Sequence, residues 1–346
     1  MFRKTYTFDD VLIVPGLSTL GSRSEVDLSV TLSKGLKFNI PITPANMKTV
    51  VNEKVAREFY ALKGLCLLHR FMPIGEQIEI LANIKNDHAD AFNYIGVSVG
   101  IKTDDYDNVD RFVALGVKII CVDVAHGHSS GCANMVYYIA QKHPKVFVIA
   151  GNVATGKGTE YLWNSGADAV KVGVGGGSIC ATRTETGCGV PQFSALMDVY
   201  ECWEEKLSMS VSAIKFIIAD GGCSKVGDIV KSLCFSDMVM CGNLFSGSED
   251  GPGDIIEQDG KRYKRYDGSS THKDDHIEGI KAMVEVKPPI KDIIKGMADG
   301  ISSGCSYTGS FNLTELKQKA KFVEITHSAV REGGSHDVFV LNENAQ

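Results

Sequence analysis

The chain has 346 residues, of which 44% are hydrophobic and 23% charged, with a formal net charge of −6 at pH 7. Electrostatic attraction to phosphate polymers or acidic membranes needs clustered Lys and Arg, so this balance argues against nucleic-acid and membrane partners and for a small molecule. Ten cysteines without a Cys-x-x-Cys pair or the dense spacing of a disulfide scaffold suit a reducing compartment. With no apolar signal core in Met1–Asp10 and no run of ~20 apolar residues, the expectation is a soluble cytoplasmic protein.

Residues 1–40 precede the first strand signal and read as an N-terminal cap. Eight short apolar runs follow, bounded by polar or glycine-rich turns: Pro41–Met47, Leu65–Arg70, Asn93–Gly100, Lys118–Ala125, Val146–Val153, Ala169–Gly175, Lys215–Gly222 and Met238–Leu244. Most are separated by helix-length segments such as Asn108–Leu115 and Gly156–Ser165, the pattern of parallel strands crossed over by helices. Eight such units close into a (β/α)₈ TIM barrel, with interior strand positions expected to be apolar; a doubly wound open sheet is the alternative. Residues 246–290 are polar and rich in Gly, Asp and Lys, as befits a lid or flap inserted after strand eight. A helix from about Ile290 to Ser302 would complete the barrel, and residues 323–346 read as a loosely held tail, so that 1–346 forms one barrel domain with decorations.

In a barrel, chemistry belongs at the C-terminal ends of the strands and in the loops that follow them. Polar or special residues stand there: Asn46-Met47-Lys48, His69-Arg70, Asp123, Asn152, Gly173–Cys180, Asp220-Gly221-Gly222 and Gly242-Asn243. Each Gly pair taken alone is an ordinary tight turn. Glycines after both strand seven and strand eight instead form a phosphate site, because that is where barrels bind phosphate through backbone N–H groups. Ser178 could add a hydroxyl, while Asp220, which would repel phosphate, suits a pair of sugar hydroxyls.

A lone cysteine is more often core filler than nucleophile. Cys180 differs, since it follows the glycine-rich stretch Gly173-Val-Gly-Gly-Gly-Ser178-Ile, with Thr182 two residues on to relay a proton and Arg183 close by to favour a thiolate. Such a thiolate could attack an electron-poor ring carbon and split a hard substitution into two easier steps. Cys188 and Cys223 lack comparable surroundings and read as structural, and His69, His126 and His128 read as hydrogen-bonded structural histidines.

Gly-Ser178-Ile-Cys180-Ala-Thr182-Arg-Thr-Glu-Thr-Gly-Cys-Gly-Val-Pro-Gln192 resembles the catalytic loop shared by the IMP dehydrogenase / GMP reductase family. The similarity extends through Thr7-Phe-Asp-Asp-Val-Leu, Ser22-Arg-Ser-Glu-Val-Asp, Ala45-Asn-Met, Ala150-Gly-Asn-Val, Ala219-Asp-Gly-Gly and Ser303-Gly-Cys-Ser-Tyr-Thr-Gly. Three features favour the reductase branch. There is no room between Leu65–Arg70 and Asn93–Gly100 for a regulatory module, no Arg-Tyr flap pair lies between Ser270 and Glu278, and Ala45-Asn46-Met47 and Asp123-Val124-Ala125 resemble the reductase versions.

The resemblance then implies NADPH-dependent reductive deamination of GMP to IMP and ammonia through a thioimidate on Cys180, with Thr182 and Glu278 delivering the proton to the departing amine. Glu278 is the favoured carboxylate, and the alternative for it is a solvated charge in an acidic loop. By the same resemblance Ser178, Asp220, Gly221, Gly222, Gly242, Asn243, Gly268 and Ser269 hold the nucleotide. Ser22, Arg23, Arg70, Asp123, Val124, Ala125, Val174, Gly175, Ser303, Gly304, Cys305 and Ser306 meet the dinucleotide, partly from a neighbouring subunit of a homotetramer. Carbonyls of Gly175, Gly177, Cys180 and Arg183 resemble a potassium site. The chain departs from the family pattern at Lys48, Arg70, His126, Asn243 and Asp267-Gly-Ser-Ser. Those departures leave room for a dehydrogenase converting IMP to XMP with NAD, a reductase acting on a deoxy or modified purine nucleotide, or a non-catalytic nucleotide-binding protein.

Overall fold

The computed structural model describes residues 2–208, 214–268 and 280–334. Eight parallel strands form the centre: β1 (Ile42–Pro44), β2 (Cys66–Leu68), β3 (Ile95–Val99), β4 (Ile119–Asp123), β5 (Phe147–Val153), β6 (Ala169–Val172), β7 (Phe216–Asp220) and β8 (Met238–Cys241). Each expected apolar run contains one of them. Every strand from β2 to β8 pairs with its neighbour in sequence, and β8 pairs back onto β1 with Ile42 opposite Val239. The remaining seam, between β1 and β2, is closed by contact between the two strands. A helix follows every strand, from Glu53–Ala61 after β1 to Ile290–Thr308 after β8, which completes the (β/α)₈ barrel.

The barrel covers both faces of its strands, which is why nearly all their residues are apolar and buried. Helix starts are locally encoded: the Asn52 side chain accepts from the Val55 N–H and the Thr155 side chain from the Gly158 N–H. The helix after β8 runs six residues beyond its expected end, to Thr308, and stops at Gly309 in the left-handed region (φ 68°).

Three expectations are corrected. Strand interiors are not wholly apolar, for Lys171 lies in the middle of β6 at 2% exposure, and Thr43 and Ser98 are also buried. The insertion after β8 is more than loop: Ile256–Gln258, Lys261–Asp267 and Lys281–Glu285 form a three-stranded antiparallel sheet with Tyr266 opposite Ala282. Buried Lys264 fastens this sheet to the preceding loop by donating to the carbonyls of Ser248 (3.0 Å) and Gly251 (2.8 Å). The tail is not loose at its start, because Phe322–Glu324 pairs antiparallel with Val11–Ile13 of the N-terminal segment. Phe322 there packs on Phe193 and Phe235, at centroid distances of 5.0 and 5.3 Å.

Candidate active site

A cavity of about 230 Å³ opens at the C-terminal mouth of the barrel. Its floor is built from the ends of strands. Lys171 Nζ lies 2.7 Å from Asp123 Oδ1 on β4, 3.0 Å from Asp220 Oδ2 on β7 and 3.5 Å from Asn46 Oδ1 beyond β1. Burial alone would discharge this ammonium, but the carboxylates of Asp123 and Asp220 hold its pKa well above the ordinary lysine value. Burial likewise opposes the charge on Asp123, and Lys171 outweighs it, keeping that carboxyl below its usual range. Asn152 Nδ2 also donates to Asp220 Oδ2, and Asn46 Nδ2 to Ser98 Oγ, each at 2.8 Å.

Above the floor, the loop after β6 turns sharply at Gly173, whose φ is +150° and where a Cβ would stand 2.0 Å from the Asp220 carbonyl. Only glycine fits there. The loop then carries Ser178 and Cys180 to the cavity wall, and Cys180 Sγ lies 3.1 Å from Thr182 Oγ1 at the start of the helix Thr182–Thr186. Arg183 also has a role that was not expected. Its guanidinium donates to the carbonyls of Val174 (3.3 Å) and Val190 (2.5 Å), clamping the two ends of the loop that carries Cys180 together.

Cys180 is half-buried, unlike the seven cysteines sealed in the core. Burial pushes the thiols of Cys132 and Cys223 up to about 12 and that of Cys305 to about 11, which keeps them protonated and inert. Cys188 is exposed, so only Cys223 of the two expected structural cysteines is a core residue.

The glycine-rich turns after β7 and β8 meet on one side of the cavity, with Asp220, Gly221, Gly222, Gly242, Asn243 and Gly268 in its wall. Tyr266, from the lid sheet, is buried over them, and a Cβ at Gly242 would come within 2.7 Å of its hydroxyl. Ser269 and Glu278 lie outside the described residues. Arg70, Asp123, Val124 and Ala125, from the ends of β2 and β4, line another part of the wall, and Val174 and Gly175 line it from the loop after β6. Arg70 Nε is 3.8 Å from Asp123 Oδ2 and has no hydrogen-bond partner although it is buried.

Ser22, Arg23, Ser303 and Ser306 do not reach this cavity. They line a second cleft between the N-terminal segment and the last barrel helix, where Arg23 Nη1 donates to Ser303 Oγ at 2.9 Å. Cys305 is fully buried and Gly304 packs on Val230, so these two residues serve helix packing. The expected cation ligands sit on the Cys180 turn, where the Gly177 carbonyl accepts from the Cys180 N–H (3.0 Å) and the Arg183 carbonyl from the Gly187 N–H (3.1 Å). Among the described residues no group of three or more His, Cys, Asp or Glu could hold a metal ion.

His69 is structural as expected. It is buried, accepts from the Phe71 N–H at Nδ1 (3.2 Å), and is held neutral, its pKa lowered to about 4 by burial and by Lys48. His126 and His128 are instead exposed on the loop after β4. Sequence reasoning missed Lys171 and Tyr266. The signal for the lysine was a single charge inside the apolar run Ala169-Val-Lys-Val172; Tyr266 lay in a segment read as polar loop.

Fold and site together define a class: a (β/α)₈ barrel whose strand ends and loops bring a half-buried cysteine and glycine-rich turns to one cavity at its C-terminal mouth. The particular family follows from comparison with known proteins. Residues 5–336 match the family model "IMP dehydrogenase / GMP reductase domain". The GMP reductase of Acidovorax ebreus (strain TPSY) is 40% identical over 322 residues, covering 90% of this chain and 94% of that protein. That of Bacillus thuringiensis (strain Al Hakam) is 38% identical over 326 residues, covering 92% and 94%. A crystal structure of a GMP reductase variant from Trypanosoma brucei in complex with guanosine 5'-monophosphate superposes with a TM-score of 0.88 at 26% identity, covering 98% of this chain and 99% of that one. The chain belongs to the IMP dehydrogenase / GMP reductase family.

Proposed function

We propose that this protein is a GMP reductase, an oxidoreductase that converts GMP to IMP and ammonia. The observation that carries the chemistry is the 3.1 Å contact between Cys180 Sγ and Thr182 Oγ1 at the wall of a cavity that also holds Asp220 and the glycines after β7 and β8. The names of the similar proteins support the reductase over the dehydrogenase.

Nucleotide phosphate binds the backbone amides of Gly222 and Gly242, with Gly221, whose own N–H donates to the Met240 carbonyl (3.3 Å), giving the phosphate room in the wall, and the ribose hydroxyls meet Asp220. That placement brings C2 of the purine to Cys180. The thiolate adds to C2, the displaced electron pair moves onto a ring nitrogen, and collapse of the adduct expels the amine, which leaves as ammonia after taking up a proton. Thr182 relays that proton, with Glu278 as its source. Ile280, two residues beyond Glu278, donates its N–H to the Ile179 carbonyl (3.0 Å), which ties this end of the lid beside Cys180. A bound NADPH, met by Arg70 and Asp123, would supply the hydride for C2, after which Cys180 would be released as IMP regains its aromatic ring. The part of the wall that carries Arg70 fits the reactive end of that dinucleotide, since buried Arg70 Nε lacks a partner there.

Ser22, Arg23, Ser303 and Ser306 line a separate cleft, so one dinucleotide would reach both sets of residues across a subunit boundary. A homotetramer would let each cofactor be shared in this way. Potassium fits the turn carrying Cys180, because the Gly177 and Arg183 carbonyls each keep a lone pair after their hydrogen bonds, and neutral oxygens suit a large, weakly hydrated cation. Ten free cysteines suit a cytoplasmic location, and among the described residues no helix is long and apolar enough to cross a membrane.

Ammonia release from GMP coupled one-to-one to NADPH oxidation tests this reading. XMP formation from IMP with NAD, without ammonia release from GMP, would replace it with the dehydrogenase.

A further inference from the structure

We propose that Lys171 is the positioning residue that joins the two halves of this site, holding Asp220 for the nucleotide ribose and Asp123 for the hydride donor. The inference rests on the GMP reductase reading. Lys171 is buried to 2% exposure on β6, and its ammonium has three donors and three acceptors: Asp123 Oδ1, Asp220 Oδ2 and Asn46 Oδ1. No donor is left for substrate, so Lys171 acts through its partners. Asp123 spends one carboxylate oxygen on the lysine and turns the other toward Arg70, 3.8 Å away on the cofactor side. Asp220 receives both Lys171 and Asn152 on Oδ2, which leaves Oδ1 for the cavity it lines.

Charge explains why a lysine belongs there. Asp123 and Asp220 would otherwise present two carboxylates to a nucleotide that is itself anionic, and repulsion would disorder or protonate one of them. One buried cation between them reduces their combined charge to −1 and fixes both by short hydrogen bonds. A buried ammonium is a costly way to stabilise a strand, since apolar residues of similar volume often do as well or better. Its three partners, all lining the cavity, point to a role in binding.

The test uses the full chain and three variants, K171R, K171M and K171M/D123N, with KM measured separately for GMP and NADPH. K171M is expected to raise both KM values by about 10-fold or more, a loss of about 1.4 kcal/mol in each binding step. K171R, which keeps the charge, is expected to recover most of that loss. K171M/D123N restores the net charge of −1 and is expected to recover the GMP constant but not the NADPH constant. This variant also guards against misfolding of K171M, because it removes the second unpaired carboxylate. A K171M enzyme with both KM values unchanged, or a double variant no better for GMP than K171M, overturns the proposal. Failure of the wild-type protein to release ammonia from GMP would instead overturn the reductase reading on which it rests.

Discussion

The floor of the cavity and its rim are built in opposite ways. Lys171, Asp123 and Asp220 stand on β6, β4 and β7, with Asn152 on β5, locked to one another at 2.7 to 3.0 Å within the barrel. Cys180 and Thr182 stand on a glycine-rich loop whose ends are joined by the Arg183 guanidinium. On the proposed reaction, rigid strands suit the groups that would recognise ribose and cofactor, whose positions must not change through the cycle. A loop suits the proposed nucleophile, which would have to approach a ring carbon, bond to it and withdraw. Binding and covalent chemistry would then be separable, and substitutions can show how far.

Cys180→Ala strikes only the rim and has the largest expected effect. Turnover should fall by at least ~10⁴-fold, as for other nucleophile deletions, while GMP affinity measured by calorimetry stays within about 3-fold. Joint loss of binding and turnover would erase the distinction between rim and floor. Gly173→Ala strikes the junction, because its Cβ would stand 2.0 Å from the Asp220 carbonyl at a φ of +150°. It should cost about 3 kcal/mol or more in thermal unfolding and weaken GMP binding as well.

Thr182→Ala sharpens the comparison within the rim. Loss of the proton relay should slow ammonia release by about 10²-fold in single-turnover experiments, with a smaller effect on hydride transfer. Equal slowing of both half-reactions would mean that Thr182 merely shapes the loop.

Acid should reach the floor through His69, beside Arg70 at the end of β2. Its pKa is lowered from 6.5 to about 4, so the unfolded chain takes up a proton first as the pH falls. The stability its neutral form contributes is complete above 6.5 and lost on descending to about 4, an upper bound of roughly 3 kcal/mol from that shift. His69→Gln should flatten unfolding free energy against pH across this window, and an unchanged acid limb would exclude His69 as its source.

The barrel was legible because parallel strands covered on both faces read as apolar runs, and each of the eight runs proved to hold one. The half-buried place of Cys180 at the cavity wall was legible for the opposite reason, since glycines and hydroxyls stand near it in sequence where a core residue would have apolar neighbours. Lys171 was not, since one charge in an apolar run signals nothing until distant strands bring Asp123 and Asp220 beside it. The lid sheet escaped because Lys261-Arg-Tyr-Lys-Arg-Tyr266 lacks a clean two-residue alternation of apolar and polar side chains. Pairing of Val11–Ile13 with Phe322–Glu324 joins opposite ends of the chain, which no local pattern can announce. Arg183 was noticed for its charge, whereas its hydrogen bonds to the loop carbonyls required coordinates.

Covalent capture tests the central claim most directly. Enzyme quenched in acid during turnover of GMP and digested with trypsin should yield the peptide Val172–Arg183 carrying the purine nucleotide, less its amine, on Cys180. Ammonia release at the wild-type rate with that peptide unmodified, or with the nucleotide attached to any other residue, would contradict it.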